Sequence, residues 1–180
     1  MNNRIRIIGG AWRGRILRFP ALPGLRPTPD RVRETLFNWL GQDLTGRVCL
    51  ELFAGSGAMS FEALSRGAAR AVCVERDVRS VARLHENAAL LGARALEIHR
   101  ADVIGFLRAD SRRYDVIFID PPYQEDWPSV LWPLLRPRLA DEGWVYLETP
   151  AALAPPPGWE VWRQDRAGKV HYHLLRSTGH

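Results

Sequence analysis

From Arg47 onward the apolar residues alternate between two patterns. Val48 to Ala54, Ala71 to Glu75, Ala95 to His99 and Tyr114 to Ile119 are apolar stretches of strand length, and they read as strands buried in a sheet. Between them, Ala58 to Arg66 and Asp77 to Leu91 place their apolar positions at helical spacing. Gly67 and Gly92 end these helices, Asp77 is positioned to cap the second, and a shorter helix is expected around Val103 to Leu107. Strand and helix in alternation predict an α/β fold with a mostly parallel sheet covered on both faces. Pro133 must kink or interrupt the apolar segment Val130 to Leu135, and Trp144 to Glu148 supplies a fifth strand. The end differs: Glu160 to Gln164 and Val170 to Leu175 face each other across Ala167-Gly168, so the sheet is expected to finish as an antiparallel pair.

The first forty residues follow another rule. Ile5 and Ile7 alternate with charge, Gly9-Gly10 and Gly14 supply turns, and Ile16 and Phe19 carry a return strand, which together predict a hairpin. After the proline-rich stretch from Pro20 to Pro29, Thr28 is expected to cap a helix with Pro29 at its first position. Its apolar stripe is Val32, Leu36, Trp39 and Leu40, and Gly41 ends it. The expected organisation is a hairpin-and-helix extension over residues 1–41, folded onto a main domain over 42–180.

Composition narrows the class. A chain of 180 residues with 46% hydrophobic residues can bury one core plus a short appendage. No apolar run approaches the ~20 residues that span a bilayer, so a cytoplasmic protein with no membrane partner is expected. Cys49 and Cys73 lie inside strand-like runs, which favours buried thiols over a disulfide.

Charge is unevenly spread. Residues 1–33 hold eight arginines against Asp30 alone, a net +7, while the whole chain carries +5 and the remainder is therefore −2. A solvated basic tail is the plainer reading. Trp12 and Phe19 interleave the charges, however, and such a face suits a nucleic acid, whose neutralised phosphates release counterions. The candidate contacts are Arg4, Arg6, Trp12, Arg13, Arg15, Arg26, Arg31 and Arg33.

Chemistry gathers where strands end. In Glu51-Leu-Phe-Ala-Gly55-Ser-Gly57 the first core strand turns into a helix, and glycines let a ligand approach the backbone. A dinucleotide fingerprint wants a third glycine, but Ser60 stands there, and Glu51 would repel a pyrophosphate; both disfavour a nicotinamide enzyme. Glu51 suits the ammonium of an amino-acid-bearing cofactor. Glu75, at the end of the next strand, suits ribose hydroxyls, and Asp102, after the third, suits an adenine amino group. Singly each acid is a common helix cap. Together they mark the carboxyl edge where open α/β sheets bind ligands.

Asp120-Pro121-Pro122-Tyr123 follows the strand Tyr114 to Ile119. A base amino group is a poor nucleophile because its lone pair is delocalised into the ring. Were the Asp120 carboxylate and the Pro121 carbonyl each to accept one of its N–H bonds, the lone pair would be aimed at a methyl donor, and Tyr123 would offer a stacking face. His171 and His173 share a strand face, but two histidines without a third ligand make no metal site, so none is expected.

Arg6-Ile-Ile-Gly-Gly-Ala-Trp-Arg-Gly-Arg15, Leu25-Arg-Pro-Thr-Pro-Asp-Arg-Val-Arg-Glu-Thr-Leu-Phe37, Phe53-Ala-Gly-Ser-Gly57, Asp120-Pro-Pro-Tyr123 and Lys169-Val-His-Tyr172 resemble the RsmD family of bacterial 16S ribosomal RNA guanine-N2 methyltransferases. The resemblance spans nearly the whole chain. It implies the Rossmann-like fold of class I methyltransferases and S-adenosylmethionine (SAM) as methyl donor. It places SAM at Glu51, Phe53, Gly55, Gly57, Glu75, Arg76, Asp102 and Val103, and the target base at Asp120, Pro121 and Tyr123. It also implies a monomer acting on 16S rRNA in a partly assembled small ribosomal subunit. The proline motif alone leaves adenine-N6 and protein-glutamine methylation open, and the basic extension alone would suit a non-catalytic RNA-binding assembly factor.

Overall fold

The computed structural model describes residues 3–23, 25–122 and 127–179. Two short strands, β1 (Arg4–Arg6) and β2 (Ile16–Arg18), form an antiparallel hairpin, and α1 (Asp30–Trp39) follows. The main sheet then begins with β3 (Val48–Leu52), α2 (Ala58–Ser65), β4 (Arg70–Glu75), α3 (Val78–Leu91), β5 (Leu96–Arg100), α4 (Val103–Ala109) and β6 (Tyr114–Ile119). It continues through α5 (Trp127–Leu135), a 3₁₀ turn at Arg136–Arg138, β7 (Leu139–Thr149), β8 (Trp159–Ala167) and β9 (Val170–Ser177). The seven strands lie in the order β5-β4-β3-β6-β7-β9-β8; the first five are parallel, and β9 inserts antiparallel between β7 and β8.

The expected strands and helices are present, with ends displaced by a few residues. Asp77 caps α3 through the N–H groups of Arg79 and Ser80, and Gly92 closes it at φ 65°. Pro133 does not interrupt α5. It stands in the last turn, and the chain tightens into the 3₁₀ turn immediately after it. Thr28 is no helix cap: Pro29 is the N-cap residue of α1, and the Thr28 hydroxyl donates instead to Glu148 at 2.9 Å.

Alternation divides each core strand between two layers. Leu52, Val74, Ile117, Ile119 and Leu147 face α4 and α5 on one side. Cys49, Ala71, Phe118, Tyr146 and Tyr172 face the other, where Val32, Leu36 and Phe37 of α1 cover them. The hairpin joins this second layer: Ile5, Ile7, Leu17 and Phe19 are buried against Phe61 of α2 and Leu84 of α3. Ile16, expected to help carry the return strand, is 44% exposed because Leu17 takes the inward position.

A buried carboxylate ties these pieces together. Glu62 accepts from the backbone N–H groups of Ile8 and Gly9, both at 3.0 Å, from Arg33 at 3.1 Å and from Arg66 at 3.0 Å. Gly10, at φ 80°, is demanded by the fit: a Cβ there would stand 1.9 Å from the Ser65 carbonyl oxygen, which accepts from the N–H of Ala11. The extension thus shares its core with the sheet. Among the described residues no helix is long and apolar enough to cross a membrane.

Candidate active site

Beyond Leu52 the chain turns sharply into α2. Phe53 (φ 54°), Gly55 (φ 55°) and Gly57 (φ 75°) are all left-handed. A Cβ on Gly57 would lie 2.5 Å from Leu84, so packing and dihedral angle both require glycine. Phe53 adopts this conformation without that freedom, a local strain of the kind that gathers at ligand sites, and its ring meets Trp127 edge-on at 5.0 Å.

The acids expected to hold a cofactor lie along the carboxyl ends of β3, β4 and β5. Glu51 accepts from the N–H groups of Ser60 (3.0 Å) and Met59 (3.4 Å) in the first turn of α2. Glu75 spans the crevice, one oxygen accepting from Gly55 N–H and the other from Asp77 N–H, each at 2.8 Å. Asp102 caps α4 through Gly105 N–H at 3.0 Å and remains exposed, as does Arg76, while Val103 is buried. Backbone amides hold each of the three carboxylates in place.

Asp120 leaves β6 beside this turn. Leu52 is the register partner of Ile119, and Ile119 of Leu147, so Phe53, Asp120 and Glu148 stand side by side where three neighbouring strands end. Strand alternation puts Asp120 on the face of Phe118, with Glu51 and Glu148. Pro121 is buried beside it and Pro122 exposed, whereas Tyr123 lies outside the described residues.

Among the described residues, none of these three acids forms an ion pair. Burial raises the Glu51 carboxyl to about 7, with the Glu75 charge adding to it and the N–H groups of Ser60 and Met59 opposing. Burial, then the charges of Glu148 and Glu51, push Asp120 well above the usual carboxylate range. Glu148 is also raised by burial, against the hydroxyl of Thr28.

The proline-rich loop roofs the crevice. A Cβ on Gly55 would meet Leu25 at 2.8 Å, and Thr28 bonds Glu148, so two residues of the extension reach the strand ends. Two named residues were missing from the expected site. Glu148 obeys the rule that drew attention to Glu51 and Glu75, an acid closing a buried strand, and could have been found by it; Thr28 was read as a helix cap.

Of the basic candidates, Arg4, Arg6, Arg13, Arg15, Arg26 and Arg31 are exposed and Trp12 is half-buried. Arg6 pairs with Asp30 at 3.5 Å, and Arg15 donates to the Leu90 carbonyl at 3.2 Å. Arg33 is the exception. Only 1% exposed, it donates to Glu62, Asp30 and the carbonyls of Arg6 and Thr28, so its charge anchors α1 and is closed to a phosphate. Arg18, outside the candidate set, stands directly opposite Arg4 on the outer face of the hairpin. An open cleft of about 720 Å³, lined by Arg13, Asn38 and Arg66 among others, lies at the C-terminal end of α2, away from the strand ends described above. His173 is buried and donates through Nδ1–H to the Leu147 carbonyl at 3.0 Å, while Cys49 and Cys73 are buried free thiols.

Residues 5–176 match the family model described as Conserved hypothetical protein 95. The Ribosomal RNA small subunit methyltransferase D of Escherichia coli strain K12 is 42% identical over 180 residues, covering 97% of this chain and 91% of its own length. The Putative rRNA methyltransferase YlbH of Bacillus subtilis strain 168 is 35% identical over 150 residues, covering 80% and 82%. Among solved structures, the putative methyltransferase yhhF from Escherichia coli superposes with a TM-score of 0.89 at 41% identity, covering 98% of this chain and 99% of that one.

Proposed function

From the premise that the chain belongs to the Conserved hypothetical protein 95 family, that of the ribosomal RNA small subunit methyltransferases D, and has the class I methyltransferase fold, we propose that it transfers a methyl group from SAM to the exocyclic N2 of a guanine in 16S rRNA. The observation that carries this reading is the placement of Asp120 and Pro121 at the strand end next to the glycine turn.

The acids fit the donor's chemistry. Glu51 is buried without a cation among the described residues, and the ammonium of SAM would supply one; Glu75 suits the ribose hydroxyls and Asp102 the adenine amino group. Phe53, Gly55, Gly57, Arg76 and Val103 complete the cradle. When bound, SAM supplies an electrophilic methyl on a sulfonium centre. Asp120 and the Pro121 carbonyl accept the two N–H bonds of the guanine amino group and so aim its lone pair, while Tyr123 stacks on the base.

Residues 1–41 serve as the RNA contact region through Arg4, Arg6, Trp12, Arg13, Arg15, Arg26 and Arg31, and residues 42–180 form the methyltransferase domain. The protein acts as a cytoplasmic monomer, and its substrate is a partly assembled small subunit. Labelled SAM and subunits lacking the modification test this: N2-methylguanine is the expected product in the nucleoside digest. Label in N6-methyladenine or in glutamine, or SAM that fails to bind by calorimetry, would overturn it.

A further inference from the structure

After methyl transfer the guanine amine carries one proton too many, and it lies under the loop that brings Leu25 and Thr28 over the crevice. Asp120 does not stand alone there. It follows Ile119, Glu148 follows Leu147, and those two are register partners on parallel strands. Such strands run roughly 4.8 Å apart with in-register side chains on one face, which makes the two carboxyl groups neighbours. Glu148 is 3% exposed, and the Thr28 hydroxyl donates to one of its oxygens at 2.9 Å.

The groups packed around the pair are Glu51 from β3, Tyr146 on β7, Tyr172 opposite Glu148 on β9, and Thr28 from the loop before α1; none is cationic. Arg33 donates to the Thr28 carbonyl, but its charge is committed to Asp30 and Glu62. Two neighbouring acids, Glu148 buried and Asp120 half-buried, with no cation beside them among the described residues, strongly disfavour ionising together.

We propose that Asp120 and Glu148 hold one proton between them, and that Glu148 thereby makes Asp120 the base for the proton shed by the methylated amine. The inference rests on the methyltransferase reading above. The carbon–sulfur bond breaks with its electrons going to sulfur, and the N2 lone pair forms the new N–C bond. An N2–H bond then breaks, its electrons return to nitrogen, and its proton passes to an Asp120 oxygen. The pair now carries two protons and returns one to solvent as product leaves. The upward shifts of Asp120 and Glu148 agree with this arrangement.

Infrared difference spectroscopy on the free protein tests it without RNA or SAM. A protonated-carboxyl band distinct from that of Glu51, and so retained in Glu51→Gln, should titrate near or above neutral pH, and Glu148→Gln should lower its midpoint by at least one unit, since the repelling charge beside Asp120 is gone. In the same variant single-turnover methyl transfer should fall at least tenfold, with its acid limb moved to lower pH and SAM binding within twofold of wild type. Glu148→Asp should restore the wild-type profile. An unmoved midpoint in Glu148→Gln, or no such band in wild type, overturns the proposal. Should Glu148→Gln fail to fold, Thr28→Val removes a donor to the Glu148 carboxylate and should raise the midpoint; an unchanged midpoint is again fatal. The band is read on the free protein, so N2-methylguanine missing from the digest while the shared-proton band persists sinks the substrate reading and not the pair.

Discussion

Two acidic centres in this molecule are built on opposite principles. Glu62 receives two arginines and two backbone N–H groups, so its charge is matched before any ligand arrives. Glu51, Asp120 and Glu148 share a sheet face at the strand ends and have no ion pair among the described residues. A carboxylate that serves the fold is neutralised by the fold. The acids proposed to serve a reaction keep unmet electrostatic demand, which a cationic donor and an N–H-bearing base could satisfy.

Four variants sharpen or break this contrast. The largest effect belongs to Asp120→Ala, which should lower turnover by roughly 10³-fold while calorimetry shows SAM still bound. Near-normal turnover would remove Asp120 from the reaction. Next, Arg33→Met strips the Glu62 centre of one cation and should cost about 3 kcal/mol in urea unfolding. A variant as stable as wild type would mean that Glu62 needs only Arg66.

Glu51 gives the third, through pH. Its carboxyl titrates at about 7 in the native state against 4.5 when unperturbed, so between these values the native state holds the extra proton and stability falls as pH rises. The loss between pH 5 and 8 should be on the order of 2–3 kcal/mol, and Glu51→Gln should remove it. SAM affinity should rise over pH 6–7 in wild type, as the charged carboxylate meets the ammonium, and that rise should be smaller in the variant. Smallest is Arg18→Gln, expected to weaken RNA binding a few-fold and reduce the salt slope by about 1. Arg33→Met should leave that slope unchanged, which would separate arginines proposed to bind RNA from one that holds the fold.

Much of the fold was legible along the chain because the signals are local. Asp77 announces α3 and Gly92 ends it; Ala167-Gly168 turns β8 into β9. The glycine turn and Asp120-Pro121 were legible for a related reason, since acids and glycines at the ends of apolar runs are seldom there for burial alone. Arg33 and Thr28 were misread because the buried partners that decide their roles lie far along the chain, although Asp30 stands three residues from Arg33. Arg33 finds Glu62 twenty-nine residues on, and Thr28 finds Glu148 one hundred and twenty residues on.

Residue order by itself determined the alternating elements, the basic character of the first thirty-three residues and the placing of acids and glycines at the strand ends, because periodicity, turns and motifs act over a few positions. Only tertiary packing decided which of those arginines face solvent, that the extension reaches over the glycine turn, and that Glu148 stands beside Asp120. Those outcomes depend on strand order and on which sheet face each side chain takes, and strand order is settled by contacts between residues far apart in the chain.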